Sequence, residues 1–172
     1  MGTFSLICHP QTPPLAVAGV AVEWMVRSAT LVLAYRVSGA GGLAMPAPSV
    51  PERTDGLWKT TCFELFLGLP GTAYREFNFS PSTRWASYDF ADYRDGGANA
   101  ALPTTPLIAP ARYGVSVTLP LAVLDEAVVA GLTAVIDEGG HKSYWALAHD
   151  TPRPDFHRRS CFTLQLGAAK AP

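Results

Sequence analysis

The sequence predicts an all-β domain, an antiparallel β-sandwich of about nine strands. Three observations predict it. Apolar residues recur at every second position in several segments, a period that a helix cannot satisfy. Fifteen Gly and fifteen Pro are scattered between short apolar runs, as frequent turns require. Long helical stretches do not alternate with these runs, which separates the chain from α/β folds.

The elements follow in order. Gly19–Val26 reads as a strand. Thr30–Ser38 is a second, with Leu31, Leu33, Tyr35 and Val37 on one face. Gly39–Gly56 is rich in Gly, Pro and Ala and reads as a long loop leading to Leu57-Trp58. Thr61–Gly68 is a strand with Phe63, Leu65 and Leu67 on one face and Cys62, Glu64 and Phe66 on the other. Pro70-Gly71 turns the chain into Tyr74–Ser80, where Phe77 and Phe79 oppose Tyr74, Glu76 and Asn78. Ser80-Pro81-Ser82 turns it again into Arg84–Phe90, which makes an antiparallel hairpin with the preceding strand.

Tyr93–Pro110 reads as loop, and Arg112–Leu119 as a strand that Pro120 stops. Leu121–Ala130 carries Leu121, Leu124 and Val128 at helical spacing and is the one candidate helix. Leu132–Glu138 and Ser143–His149 are strands joined at Gly139-Gly140, and Cys161–Leu166 closes the domain. One face of each strand is apolar and the other mixed, which suits antiparallel sheets with one wetted face.

The 172 residues fit one domain, 1–172. Hydrophobic residues make up 48%, enough for a substantial core, and charged residues only 16%, too few for a disordered chain. The net charge of −1 lacks the basic footprint of a nucleic-acid binder. No apolar run is long enough to span a bilayer, so no membrane partner is expected. Met1–Pro14 lacks the basic and apolar regions of a signal peptide, so the expected location is the cytoplasm. Cys8, Cys62 and Cys161 form no C-x-x-C, and buried reduced thiols are expected; a Cys62–Cys161 bridge would need an oxidising compartment.

Four motifs in fixed order carry a resemblance. They are C-F-E-L-F-L at Cys62–Leu67, E-F-N-F-S-P at Glu76–Pro81, Y-W-A-L-A-H at Tyr144–His149 and P-D-F-H at Pro154–His157. With the flanking runs Leu57–Gly97 and Ala134–Leu166, they resemble the DOMON-like, family 9 carbohydrate-binding-module proteins of bacteria. The resemblance implies an immunoglobulin-like or jelly-roll sandwich whose concave face or loop end holds a ligand. Family 9 modules stack aromatic side chains on sugar ends, and other DOMON relatives bind haem through Met and His. Haem here would require Met25 or Met45 with His149. Calcium is also implied by family 9 relatives, although no Asp-rich loop of the EF-hand kind is present. The residues themselves demand no cofactor.

Candidate ligand-binding residues are Trp58, Glu64, Asn78, Tyr88, Arg94, Trp145, His149 and His157. Glu64, Asn78 and the neighbouring Glu76 lie on the polar face of central strands, where fixed acceptors and donors suit sugar hydroxyls. Trp58, Tyr74, Tyr88, Trp85 and Trp145 offer flat apolar faces, and aromatic walls with a few polar groups describe a small-molecule pocket. Arg94 is as well suited to a structural fork with a carboxylate as to ligand contact.

His149, Asp155 and His157 form the best catalytic-like or metal-like cluster, on a Pro-rich segment without the recurrent spacing of zinc sites. The Glu64 and Glu76 carboxylates would serve glycosidase chemistry only at a set separation. No G-x-S-x-G, phosphate loop or H-E-x-x-H occurs. The expected function is non-catalytic binding of a small molecule, a carbohydrate before other ligands. The alternatives are haem binding, a hydrolase built on His149, Asp155 and His157, and an interaction module pairing through a sheet edge. The oligomeric state stays open.

Overall fold

The computed structural model describes residues 1–169, and within them the chain is all-β. Twelve strands form in chain order: β1 Gly2–Cys8, β2 Gly19–Arg27, β3 Thr30–Ser38, β4 Cys62–Gly68, β5 Tyr74–Phe79, β6 Trp85–Asp92, β7 Asp95–Asn99, β8 Leu107–Ala111, β9 Gly114–Pro120, β10 Val129–Glu138, β11 His141–Ala146 and β12 Leu164–Gln165. All ladders are antiparallel. One sheet runs β8-β9-β3-β2-β1 and the other β7-β6-β5-β4-β10-β11, with β12 added to β10. β1 belongs to both: Gly2–Leu6 pair with β2, while Ile7 and Cys8 pair with β11.

The two sheets enclose the core. β3 contributes Leu31, Leu33 and Tyr35, and β9 contributes Val115, Val117 and Leu119. From the facing sheet come Phe63, Leu65 and Leu67 of β4, Phe77 and Phe79 of β5, and Leu132, Ala134 and Ile136 of β10. These are the apolar halves of period-two strands, so burying one set fixes the register of all. The Tyr35 hydroxyl crosses the layer and donates to the Glu64 carbonyl oxygen at 2.6 Å. A buried phenol needs such a partner, and this one ties the small sheet to the centre of the large one.

Several expectations are corrected. β1 is not among the expected strands, because a strand that changes sheets shows no single buried face. β7 and β8 lie within the stretch read as loop, Tyr93–Pro110, or at its end. They are the two outer margins of the sheets. Short margin strands that contain Pro110 or mostly Gly and Ala bury little, so they leave no alternation to detect.

The expected helix over Leu121–Ala130 is a single 3-10 turn at Leu121–Leu124, and β10 already begins at Val129. Leu124 packs into the core, which explains the helical spacing without a helix. The closing strand shrinks to Leu164–Gln165, preceded by a 3-10 turn at Arg159–Cys161. No helix among the described residues is long and apolar enough to cross a membrane.

The buried Glu138, at the end of β10, clamps the approach to β2. Its carboxylate accepts the backbone N–H groups of Leu15 at 2.8 Å, Ala16 at 2.7 Å and Val17 at 3.1 Å. Those bonds hold its carboxyl below the usual range, against a burial effect that alone would raise it. Glu138→Ala would strand three N–H donors, so the variant is expected to lose about 2–3 kcal/mol in urea unfolding. An unchanged midpoint would show that this clamp carries no stability.

Candidate functional site

The second face of the large sheet is also largely covered. Strand alternation turns Glu64 and Phe66 of β4, Glu76 and Asn78 of β5, Tyr88 and Phe90 of β6, Thr133 and Val135 of β10 and Tyr144 of β11 away from the sandwich core. Register aligns them in rows. Asn78, Glu64 and Thr133 stand side by side on neighbouring strands, and Tyr88, Glu76 and Phe66 form the next row. One hydrogen bond runs within the first row and one joins it to the second. Thr133 Oγ1 donates to Glu64 Oε2 at 2.9 Å, and Asn78 Nδ2 donates to Glu76 Oε1 at 2.8 Å.

Three segments build walls above this floor and leave a cavity of about 750 Å³, inside the ~300–1,000 Å³ range of small-molecule sites. The first wall is Asp55–Lys59, ending in a 3-10 turn at Leu57–Lys59. The long segment read as loop delivers it, pinned along β6 by Thr54 N–H to the Trp85 carbonyl at 2.8 Å and Trp85 N–H to the Glu52 carbonyl at 3.1 Å. Trp58 stands half exposed at the mouth with the Lys59 ammonium 5.9 Å from its ring. Tyr88 donates to Asp55 at 2.6 Å, and Arg53 holds the same carboxylate at 2.9 Å.

The second wall is the β6–β7 corner, Arg94, Gly96 and Gly97. The β6–β7 ladder shifts register here, and Gly96 and Gly97 take positive φ angles of 105° and 64°. A bulge of this kind re-aims the backbone beside a site, and glycine adopts it without strain. The third wall is Pro154–His157. Asp155 accepts from Tyr93 at 2.6 Å, from Arg94 at 2.9 Å and from the His157 backbone N–H at 3.2 Å. The two outer walls are thereby tied together.

Charge and burial set the chemistry. Glu64 is 2% exposed; burial first, then the charge of Glu76, push its carboxyl well above the usual carboxylate range, against the Thr133 bond. Burial also raises Glu76, against the Asn78 bond and the Arg94 charge. Two such buried carboxyls on one floor disfavour double ionisation. Asp155 stays below its ordinary value because Tyr93 and Arg94 outweigh partial burial.

Burial, then the Arg94 charge, lower His157 to about 4, so its imidazole is neutral at pH 7. The Tyr74 hydroxyl accepts the Arg94 backbone N–H at 3.1 Å and shares a hydrogen bond with His157 Nδ1 at 2.8 Å. His157 Nε2 lies 3.8 Å from Glu76 Oε2. Phe66 and Phe90 hold the ring edge-on at 5.4 and 5.2 Å.

Of the sequence-derived candidates, Trp58, Glu64, Tyr88, Arg94 and His157 line the cavity. Asn78, Trp145 and His149 do not. Asn78 is fully buried under the floor and orients Glu76. Trp145 pairs opposite Ala134 on the core face, where its indole N–H donates to Ser143 at 2.9 Å. His149 bonds the Ile7 carbonyl at 2.9 Å and lies edge-on to His9. Glu76, expected on the polar face beside Glu64, lines the site as well, and so do Tyr144, Phe66, Phe90, Asp55 and Phe156, which the sequence did not single out as ligand contacts. Alternation from Glu64 signals Phe66, and hairpin register from Glu76 signals Tyr88 and Phe90; the loop residues had no sequence signal.

The proposed cluster of His149, Asp155 and His157 is not assembled, because Asp155 meets the backbone of His157 and His149 is bonded elsewhere. Met25 and Met45 do not line the cavity. Among the described residues no group of three or more His, Cys, Asp or Glu side chains is placed to hold a metal ion. Cys8, Cys62 and Cys161 are free thiols.

No protein-family model and no curated protein matches the chain. Among solved structures it is similar to a candidate carbohydrate-binding protein from Bacteroides uniformis, with a TM-score of 0.68 at 14% identity, covering 94% of this chain and 84% of that one. At that identity the likeness is one of fold.

Two pH effects follow. A histidine lowered from 6.5 to about 4 contributes stability that is present above pH 6.5 and lost as pH falls through 4. Its size is about 3 kcal/mol. His157→Gln should therefore flatten the acid limb of a stability–pH profile measured by urea unfolding; an unchanged limb would contradict the assignment. Glu64 has the opposite sign. Its raised value gives stability present below 4.5 and lost as pH rises through the folded value. Glu64→Gln should gain stability relative to the parent as pH rises toward 8, and a net loss there would show that the charge is compensated in the free protein.

Proposed function

We propose that the protein is a non-catalytic module that binds a small carbohydrate or sugar derivative in this cavity. On this reading the chain is a divergent DOMON-like module of the family 9 type. The observation that carries the reading is the composition of the cavity: buried Glu64 and Glu76 at the floor, with Phe66, Tyr88, Phe90, Tyr144 and Trp58 around them. A pyranose has apolar C–H faces that suit aromatic planes and an equatorial ring of hydroxyls that donate to fixed carboxyl oxygens. The floor is preorganised by Thr133 and Asn78, so binding does not have to order it.

The fold shared with the Bacteroides uniformis protein supports the same reading. The hydrolase alternative loses its residues, since Asp155 is occupied by Tyr93, Arg94 and a backbone N–H. Haem binding loses its axial pair, since neither methionine nor His149 reaches the cavity.

The test is calorimetric titration against a panel of mono- and disaccharides, with tryptophan emission followed in parallel. Saturable binding is expected, with the emission change lost in Trp58→Phe and affinity lowered about tenfold in Trp58→Ala. A folded protein that binds nothing across the panel at millimolar concentration would refute the proposal.

A further inference from the structure

We infer that the ligand is an amino sugar, whose protonated amine sits over the floor between Glu64 and Glu76. The inference rests on the carbohydrate reading above and names its ligand class.

Four acids line the cavity: Asp55, Glu64, Glu76 and Asp155. The two at the rim are already satisfied. Asp55 is held by Tyr88 and Arg53, and Asp155 by Tyr93, Arg94 and the His157 backbone. The two at the floor are not. Each receives one bond from a neutral donor, the Thr133 hydroxyl or the Asn78 amide, on one of its oxygens. Oε1 of Glu64 has no hydrogen-bond partner among the described residues, although this side chain is almost fully buried and lines the cavity.

The cations nearby are engaged elsewhere. The Arg94 guanidinium donates to Asp155 at 2.9 Å, and the Lys59 ammonium lies by Trp58 at the mouth. The imidazole of His157 stops 3.8 Å from Glu76. The floor thus presents buried acceptors and the negative charge its two carboxyls share, to which no protein cation is hydrogen-bonded, although the Arg94 charge reaches Glu76. An incoming hydroxyl fills the acceptors and leaves the charge, whereas an ammonium answers both. The aromatic surround points the same way, because ring faces attract cations and attract them more strongly when water is excluded. Anionic sugars are disfavoured by the same floor.

Calorimetry at pH 7 compares the disaccharide of glucosamine with its fully N-acetylated form, with a neutral glucose disaccharide and with glucuronate. The glucosamine disaccharide should bind at least about tenfold more tightly than the N-acetylated one, because acetylation removes the charge and keeps the ring. Glu64→Gln should erase that preference, and its unfolding curve checks that the variant is folded. Equal or tighter binding of the N-acetylated, neutral or anionic sugar overturns this inference and leaves the carbohydrate reading standing. Absence of binding by all of them overturns both.

Discussion

β4 is buried along its whole length on both sides, and the rest of the molecule is arranged around that constraint. Phe63, Leu65 and Leu67 enter the sandwich core, and Cys62, Glu64 and Phe66 enter a second, walled face. A strand in this position has no water-facing side on which to place a carboxylate cheaply. Glu64 is therefore tolerable only because Thr133 answers one oxygen across the β10 ladder and Tyr35 fixes the backbone beneath it. The loops that cover this face are held by the same logic. Asp55 ties the first of them to β6 through Tyr88, and Asp155 ties the other two together through Tyr93 and Arg94.

The floor and the clamp at Glu138 show two uses of a buried carboxylate. Glu138 receives three backbone donors and stays readily ionised. Glu64 and Glu76 receive one neutral donor each, and burial drives both upward. The first arrangement stabilises the folded chain. The second stores an unmet interaction in it, as sites that act on other molecules commonly do.

The fold was legible wherever one face of a strand was uniformly apolar. β3, β4, β5 and β9 fall within a residue or two of their expected bounds for that reason. Margin strands and β1 were not legible, since what makes them strands is a partner's backbone and not their own side chains. The site was legible through the same alternation and failed where parity misled. Tyr144 and Trp145 are adjacent, so one faces the cavity and the other the core, and aromatic character alone cannot say which. His149 failed for another reason: its bond to Ile7 depends on β1, which carried no strand signal.

One wall of the cavity is also the margin of the large sheet. Gly96 and Gly97 belong to β7, which pairs on one side only and is solvent-exposed along most of its length. Residues added, removed or exchanged in Asp95–Asn99 change what the cavity admits without disturbing a single core contact. The carboxyl floor, by contrast, cannot vary without repacking a strand enclosed on both sides. Divergence among proteins built on this plan should therefore proceed unevenly, with a slowly drifting base and a rapidly drifting flank, so that selectivity evolves at the periphery while the recognised charge persists.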